Sequence, residues 1–180
     1  MNEILFKAII ATPWLLVLCV LDARERRLPN KWTLGGAAVA LIDCFVVGGL
    51  SYFGQGLLAG ILSALFLVLP FFLHAAGGGD VKMLFACGIL IGLGNIVVFL
   101  FFISIAGFIL AVVMMIAGKV DAGRLIHYLN CLFNFRYDRK AGREKLLPAS
   151  HEKVQVPFGV AIACGAWMTW IWILSGGKMI

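Results

Sequence analysis

Two acidic residues stand at the edges of long apolar runs. Asp22 lies in "LDARERRLPN" (Leu21–Asn30), and Asp80 lies in "GGGDVKM" (Gly77–Met83). A carboxylate at the end of a membrane-length apolar segment is costly to place. Two carboxylates a few ångströms apart cannot both ionise easily, so one keeps its proton near neutral pH. Such a pair can hold a water between them. The charged member takes the water's proton while the neutral member polarises a scissile carbonyl. This is acid–base peptide hydrolysis, with neither a metal nor a covalent intermediate.

The residues around the acids fit that chemistry. Gly77, Gly78 and Gly79 carry no side chains, so they permit unusual backbone angles and let an extended substrate strand come close. Asp80 is expected at a helix start, where free N–H groups and the helix dipole favour its charged form. Lys82 is an auxiliary candidate: it either lowers the charge of the pair or anchors the topology. Taken alone, each acid is an ordinary helix start or a loop charge. It is their placement on one side of a membrane domain that points to chemistry. Asp43, in "ALIDCFVV", is an intramembrane acid and therefore a functional candidate by default. It is read as a helix–helix hydrogen bond. The five cysteines are scattered with no CxxC pair, so no metal site and no cofactor are expected.

The elements that must carry these residues follow from composition. The chain has 180 residues, 62% of them hydrophobic, and a mean hydropathy of +1.01. A soluble domain of this size buries only part of so much apolar surface. A bilayer is the better solvent, since each spanning helix uses about 20 apolar residues. Six segments emerge: 4–21, 32–50, 57–73, 81–93, a fuller fifth ending near 117, and 156–174. "GLGN" (Gly92–Asn95) divides the fourth from the fifth. The fourth is short, about 20 Å at helical rise against a hydrocarbon core of about 30 Å. The first segment lacks a small-residue cleavage pattern and is expected to be retained. Near the end, Gly159, Ala161, Ala163 and Gly165 form a small-residue face suited to close helix packing.

Of the 15 lysines and arginines, all but Lys7 and Lys178 fall on one side of six spans, which makes that side cytosolic. The expected architecture is all-α and polytopic: six transmembrane helices with both termini outside, a short fourth helix, and one membrane-embedded domain over 1–180. The polar loop 118–153 is expected to be cytosolic and to carry an interfacial helix. The net charge of +6 suits anionic lipid headgroups and does not call for nucleic acid. In this topology Asp22 and Asp80 share one depth at the cytosolic face. Two other readings compete. One is a small proton-coupled transporter or channel with Asp22, Asp43 and Asp80 as a relay. The other is a presenilin-like protease cutting within the bilayer, which requires a deeper pair.

"LDARERRLPN" resembles the first aspartate motif of the type IV prepilin peptidases, and "GGGDVKM" resembles their second, Gly-x-Gly-Asp-x-Lys. "VPFGVAIACGA" (Val156–Ala166) is similar to their terminal Pro-Phe-Gly helix. The resemblance implies a membrane aspartic protease with Asp22 and Asp80 as its catalytic pair. Its substrates would be prepilins or pseudopilins, whose short basic leader is removed at the cytosolic face of the bacterial inner membrane, commonly after a glycine. Larger members add a cysteine-rich domain and methylate the new amino terminus. This chain has no CxxC pairs, which speaks against methyltransferase activity; its small size resembles the compact forms that serve tight-adherence (Flp-type) pili, the favoured reading, or archaeal preflagellin peptidases.

Overall fold

The computed structural model describes residues 2–25, 28–72, 76–117 and 157–177. Among these residues every regular element is helical: α1 (Asn2–Glu25), α2 (Asn30–Phe72), α3 (Gly78–Ile91), a 3-10 turn (Leu93–Asn95), α4 (Ile96–Ile116) and α5 (Phe158–Leu174). The chain divides into two compact units, Met1–Phe108 with Pro157–Ile180, and Ile109–Val156. Three helical stretches are long and apolar enough to cross a membrane: Glu3–Glu25, Asn30–Val68 and Leu93–Ile116. Their outward faces carry large apolar side chains such as Phe6, Ile42, Phe101 and Ile116. That is the surface expected of helices solvated by lipid rather than water. The interfacial helix expected in the loop 118–153 lies outside the described residues.

The second and third apolar segments meet differently from the sequence expectation. A connection was expected over 51–56, but those residues are helical, and the break falls at Gly48 (φ −138°, ψ 16°) and Gly49 (φ 64°, ψ −155°). A positive φ with that ψ is accessible to glycine and to almost nothing else. The chain reverses there. Phe45 and Phe53 face each other with ring centroids 6.4 Å apart, and a Cβ built on Gly56 would lie 2.9 Å from Cys44 Sγ. On a straight helix Cys44 and Gly56 would stand about 18 Å apart, so the two legs of α2 lie side by side.

α3 packs closely on the second leg. A Cβ on Gly60 would come within 2.8 Å of the Phe85 ring, and one on Gly88 within 2.9 Å of the Ala59 carbonyl oxygen. Small residues at such crossings let helix backbones approach where no hydrophobic driving force separates lipid from protein. The small face of α5 does the same. Ala161, Ala163 and Ala166 are buried, and a Cβ on Gly165 would meet the Ile103 amide nitrogen at 2.9 Å. The resulting core unites Leu15 and Leu18 of α1, Leu67 of α2, Met83 and Leu84 of α3, Phe99 and Ile103 of α4, and Ile162 of α5.

α1 and α2 are also joined by polar contacts. Trp14 Nε1–H donates to the Trp32 carbonyl at 2.9 Å. Lys7 Nζ lies 3.1 Å from Asp43 Oδ2. The helix–helix contact expected of Asp43 is therefore ionic, made to a cation on α1.

Candidate active site

The site is assembled by the ends of α1, α3 and α5. Asp22 lies in the last turn of α1. Although it stands at a helix end, it is 4% exposed, and Asp80 is 7% exposed. The two carboxylates are near enough for the charge on one to act on the other.

Asp80 is fixed by its own turn. Gly77 is the N-cap, in an extended conformation (φ −81°, ψ 150°), and Asp80 is the third residue of the helix. Its Oδ2 accepts the Gly77 N–H at 3.0 Å, and its own N–H donates to the Gly77 carbonyl at 3.1 Å. This is the acid half of a capping box, with glycine where serine or threonine would supply the other half. Asp80 stands one residue ahead of the apolar run 81–93. Burial, then the neighbouring Asp22 carboxylate, push it up to about 7, against the lowering effect of the Gly77 bond. The helix-start preference for a charged Asp80 is therefore outweighed by burial and a like charge.

The three glycines meet their neighbours closely within the fold. None of them has a positive φ; that conformation belongs to Gly49, Gly92 and Gly176. They are instead points of close approach. A Cβ on Gly79 would lie 2.7 Å from Leu28 Cβ and 3.3 Å from the Leu28 carbonyl oxygen. One on Gly77 would lie 3.2 Å from Asp80 Oδ2, and one on Gly78 would make ordinary contact with the Phe71 ring at 3.4 Å. Gly79 thus lets the start of α3 rest on the turn that follows α1. That turn is itself held, since the Pro29 carbonyl accepts the Trp32 and Thr33 amides and Leu28 packs against the core. Lys82 adds a further tie, with Nζ donating to Asn30 Oδ1 at 2.7 Å. Its ammonium is engaged with the first residue of α2 and with neither carboxylate. The two motif stretches are therefore clamped together at Leu28–Gly79 and Asn30–Lys82.

One participant escaped the sequence reading. Asp22 Oδ2 accepts the Gly159 N–H at 2.8 Å, a buried bond; burial pushes the Asp22 carboxyl above its ordinary value, and the backbone amides at the start of α5 oppose that rise. A Cβ at position 159 would sit 2.7 Å from that same oxygen. The signal was present in "VPFG", but a contact across so many residues cannot be read from one chain. Among the described residues no cluster of three or more His, Cys, Asp or Glu side chains is placed to hold a metal ion.

The model of the type IV leader peptidase family matches residues 9–112. That span is more than half of the chain and contains both aspartates, and the chain belongs to this family. It is a membrane peptidase. No curated protein and no solved structure matches the chain significantly.

Proposed function

We propose that the chain is an aspartic endopeptidase that removes the short basic leader from prepilins or pseudopilins, using a water held between Asp22 and Asp80. The observation that carries this reading is the pair itself: two buried carboxylates from different helices whose charges act on each other, tied to backbone amides. In the ground state the pair holds one proton, on Asp80. The water oxygen attacks the scissile carbonyl carbon, its proton passes to Asp22, and the Asp80 proton passes to the carbonyl oxygen. The gem-diol then collapses. The proton on Asp22 goes to the leaving nitrogen, a diol hydroxyl proton returns to Asp80, and the C–N bond breaks to a carboxyl and an amine. No electron acceptor or metal enters this balance.

The proposed setting is a single domain of six spans in the bacterial inner membrane, both termini outside, with the pair at the cytosolic face. The reversal at Gly48–Gly49 supports this count, because it divides α2 into legs of about 28 and 34 Å at helical rise, each near the span of a hydrocarbon core. The distribution of lysine and arginine supports the orientation. A basic leader would remain in the cytosol while the apolar helix after it lies in the membrane, so a pair at that boundary meets the joint between them. The proton-relay reading loses its middle member, since Asp43 is held by Lys7 about 22 Å along α1 from Asp22 at 1.5 Å per residue. The test is co-expression of the chain with candidate prepilins. A shortened pilin whose new amino terminus follows the basic leader is expected; full-length prepilin for every candidate, with the peptidase present in the membrane, would contradict the reading.

A further inference from the structure

The two carboxylates are held by different kinds of donor. Asp80 takes the Gly77 amide from its own capping turn, three residues away. Asp22 takes the Gly159 amide from the first turn of α5, a separate helix of 17 residues. The neighbouring Val160 N–H donates to the Pro157 carbonyl at 3.3 Å, so Gly159 supplies the hydrogen bond to Asp22. The positive end of the α5 dipole also points toward Asp22, and hydrogen bonds to a carboxylate favour its ionised form. The approach depends on glycine, because any Cβ at 159 would collide with Asp22 Oδ2 at 2.7 Å and with Cγ at 3.1 Å.

We propose that Gly159 is a positioning residue: its N–H, at the start of α5, keeps Asp22 as the ionised, water-deprotonating member of the pair and leaves the pair's proton on Asp80. The assignment rests on the protease reading for its consequence, but the state of Asp22 is observable by itself. Among the described residues, Asp22 carries its charge toward Asp80 of α3 and Cys19 of its own helix, raising both, while Asp22 itself is raised by burial and lowered by backbone amides of α5. Lys82 of α3 is turned to Asn30. The Gly159 amide is thus the donor from outside its own helix that opposes the effect of burial on Asp22.

The test removes the donor without adding bulk. Glycolic acid placed at position 159 of the full chain converts the 158–159 amide to an ester, which deletes the N–H and leaves the shape. Two readouts are taken on the purified protein in lipid: infrared titration of Asp22 in an Asp80→Asn background, and the pH profile of kcat and KM for leader cleavage with Asp80 intact. The ester is expected to move the Asp22 titration and the acid limb of kcat upward by about one pH unit, the size expected for one hydrogen bond to a charged group. KM should stay as in the parent. Gly159→Ala should move the acid limb at least as far. Gly165→Ala crowds the Ile103 backbone on the same helix, so it should lower the yield of folded protein and leave the acid limb in place. An unchanged Asp22 titration in the ester protein would overturn the proposal, as would an equal shift in Gly165→Ala or a shift confined to the alkaline limb. A shifted titration with no leader cleavage by the parent would instead sink the protease reading and leave the Gly159 assignment standing.

Discussion

Asp43 and the pair Asp22–Asp80 solve the same problem in opposite ways. Each is a carboxylate set among apolar helices. Asp43 is neutralised by a cation, with Lys7 Nζ 3.1 Å from its Oδ2, an arrangement that needs no change of protonation and fastens α1 to the first leg of α2. Asp22 and Asp80 have backbone amides as partners, and each faces the other's charge. Leaving a buried charge without a counter-ion, and next to a like charge, costs stability. A fold bears that cost where protons must move, and a salt bridge at the same place would freeze them. On the proposed function, the contrast separates an acid that serves architecture, Asp43, from two that would serve chemistry, Asp22 and Asp80.

The contrast breaks most sharply on substitution to asparagine. Asp22→Asn and Asp80→Asn should each lower leader cleavage by about 10²–10⁴-fold, the range of a positioned acid or base. Stability should move the other way at Asp80. Its carboxyl is raised from 3.8 to about 7, so the folded state keeps a proton that the unfolded state releases. The folded state therefore loses relative stability as pH rises through that interval. Asparagine carries no such charge, so at pH 8 the melting temperature of Asp80→Asn should exceed that of the parent, and at pH 4 the two should converge. Asp43→Asn should do the reverse. It leaves Lys7 unpaired, lowers stability by about 1–3 kcal/mol, and spares the kcat of the folded fraction. Inactive but well-folded Asp43→Asn would break the contrast.

The pH dependence sharpens it further. Asp80 must hold its proton to protonate the carbonyl oxygen, so kcat should fall as pH rises above about 7. The Asp43→Asn enzyme should fall at the same pH, because its partner Lys7 takes no part. A steady-state pH series on both enzymes measures this.

Smaller effects come from the residues that hold the motif stretches together. Gly79→Ala drives a methyl into Leu28 and should cost more activity than Gly78→Ala, which meets Phe71 at an ordinary 3.4 Å and gains helix propensity. Lys82→Met removes the exposed bond to Asn30 and should slow cleavage by about 2–10-fold, the worth of one such bond. Asn30→Ala should match it, and the double variant should be no worse than either single one. Cleavage rates for the set rank the clamps against the pair.

What was legible in the sequence was local. Apolar runs with glycine punctuation located α1, α3 and α4 within a few residues, since period and breaker both act within a few residues of chain. The two aspartates were legible because motif and segment edge coincide at Asp22 and Asp80. What was illegible depended on chain meeting chain. The reversal of α2 at Gly48–Gly49 rests on a positive φ that the "SYFGQG" glycines advertised as strongly. The Lys7–Asp43 pair joins residues that look like strays when each is read alone. The glycine run announced freedom of angle and room for a substrate strand; that Gly79 lies against Leu28 is a contact between distant stretches that the run by itself does not show. Gly159 reaches Asp22 only because the small face of α5 seats its first turn there.

The central claim is that Asp22 and Asp80 act as one unit on one water, and the most direct measurement is a double-mutant comparison of leader cleavage. Asp22→Asn, Asp80→Asn and the doubly substituted chain would be assayed against the parent, in lipid, at the same substrate concentration. Residues that act as a unit are strongly non-additive. The account predicts that each single variant is as inactive as the double one. A double variant slower than both singles by the product of their separate losses would contradict it, and so would either single variant that cleaves at near the parent rate.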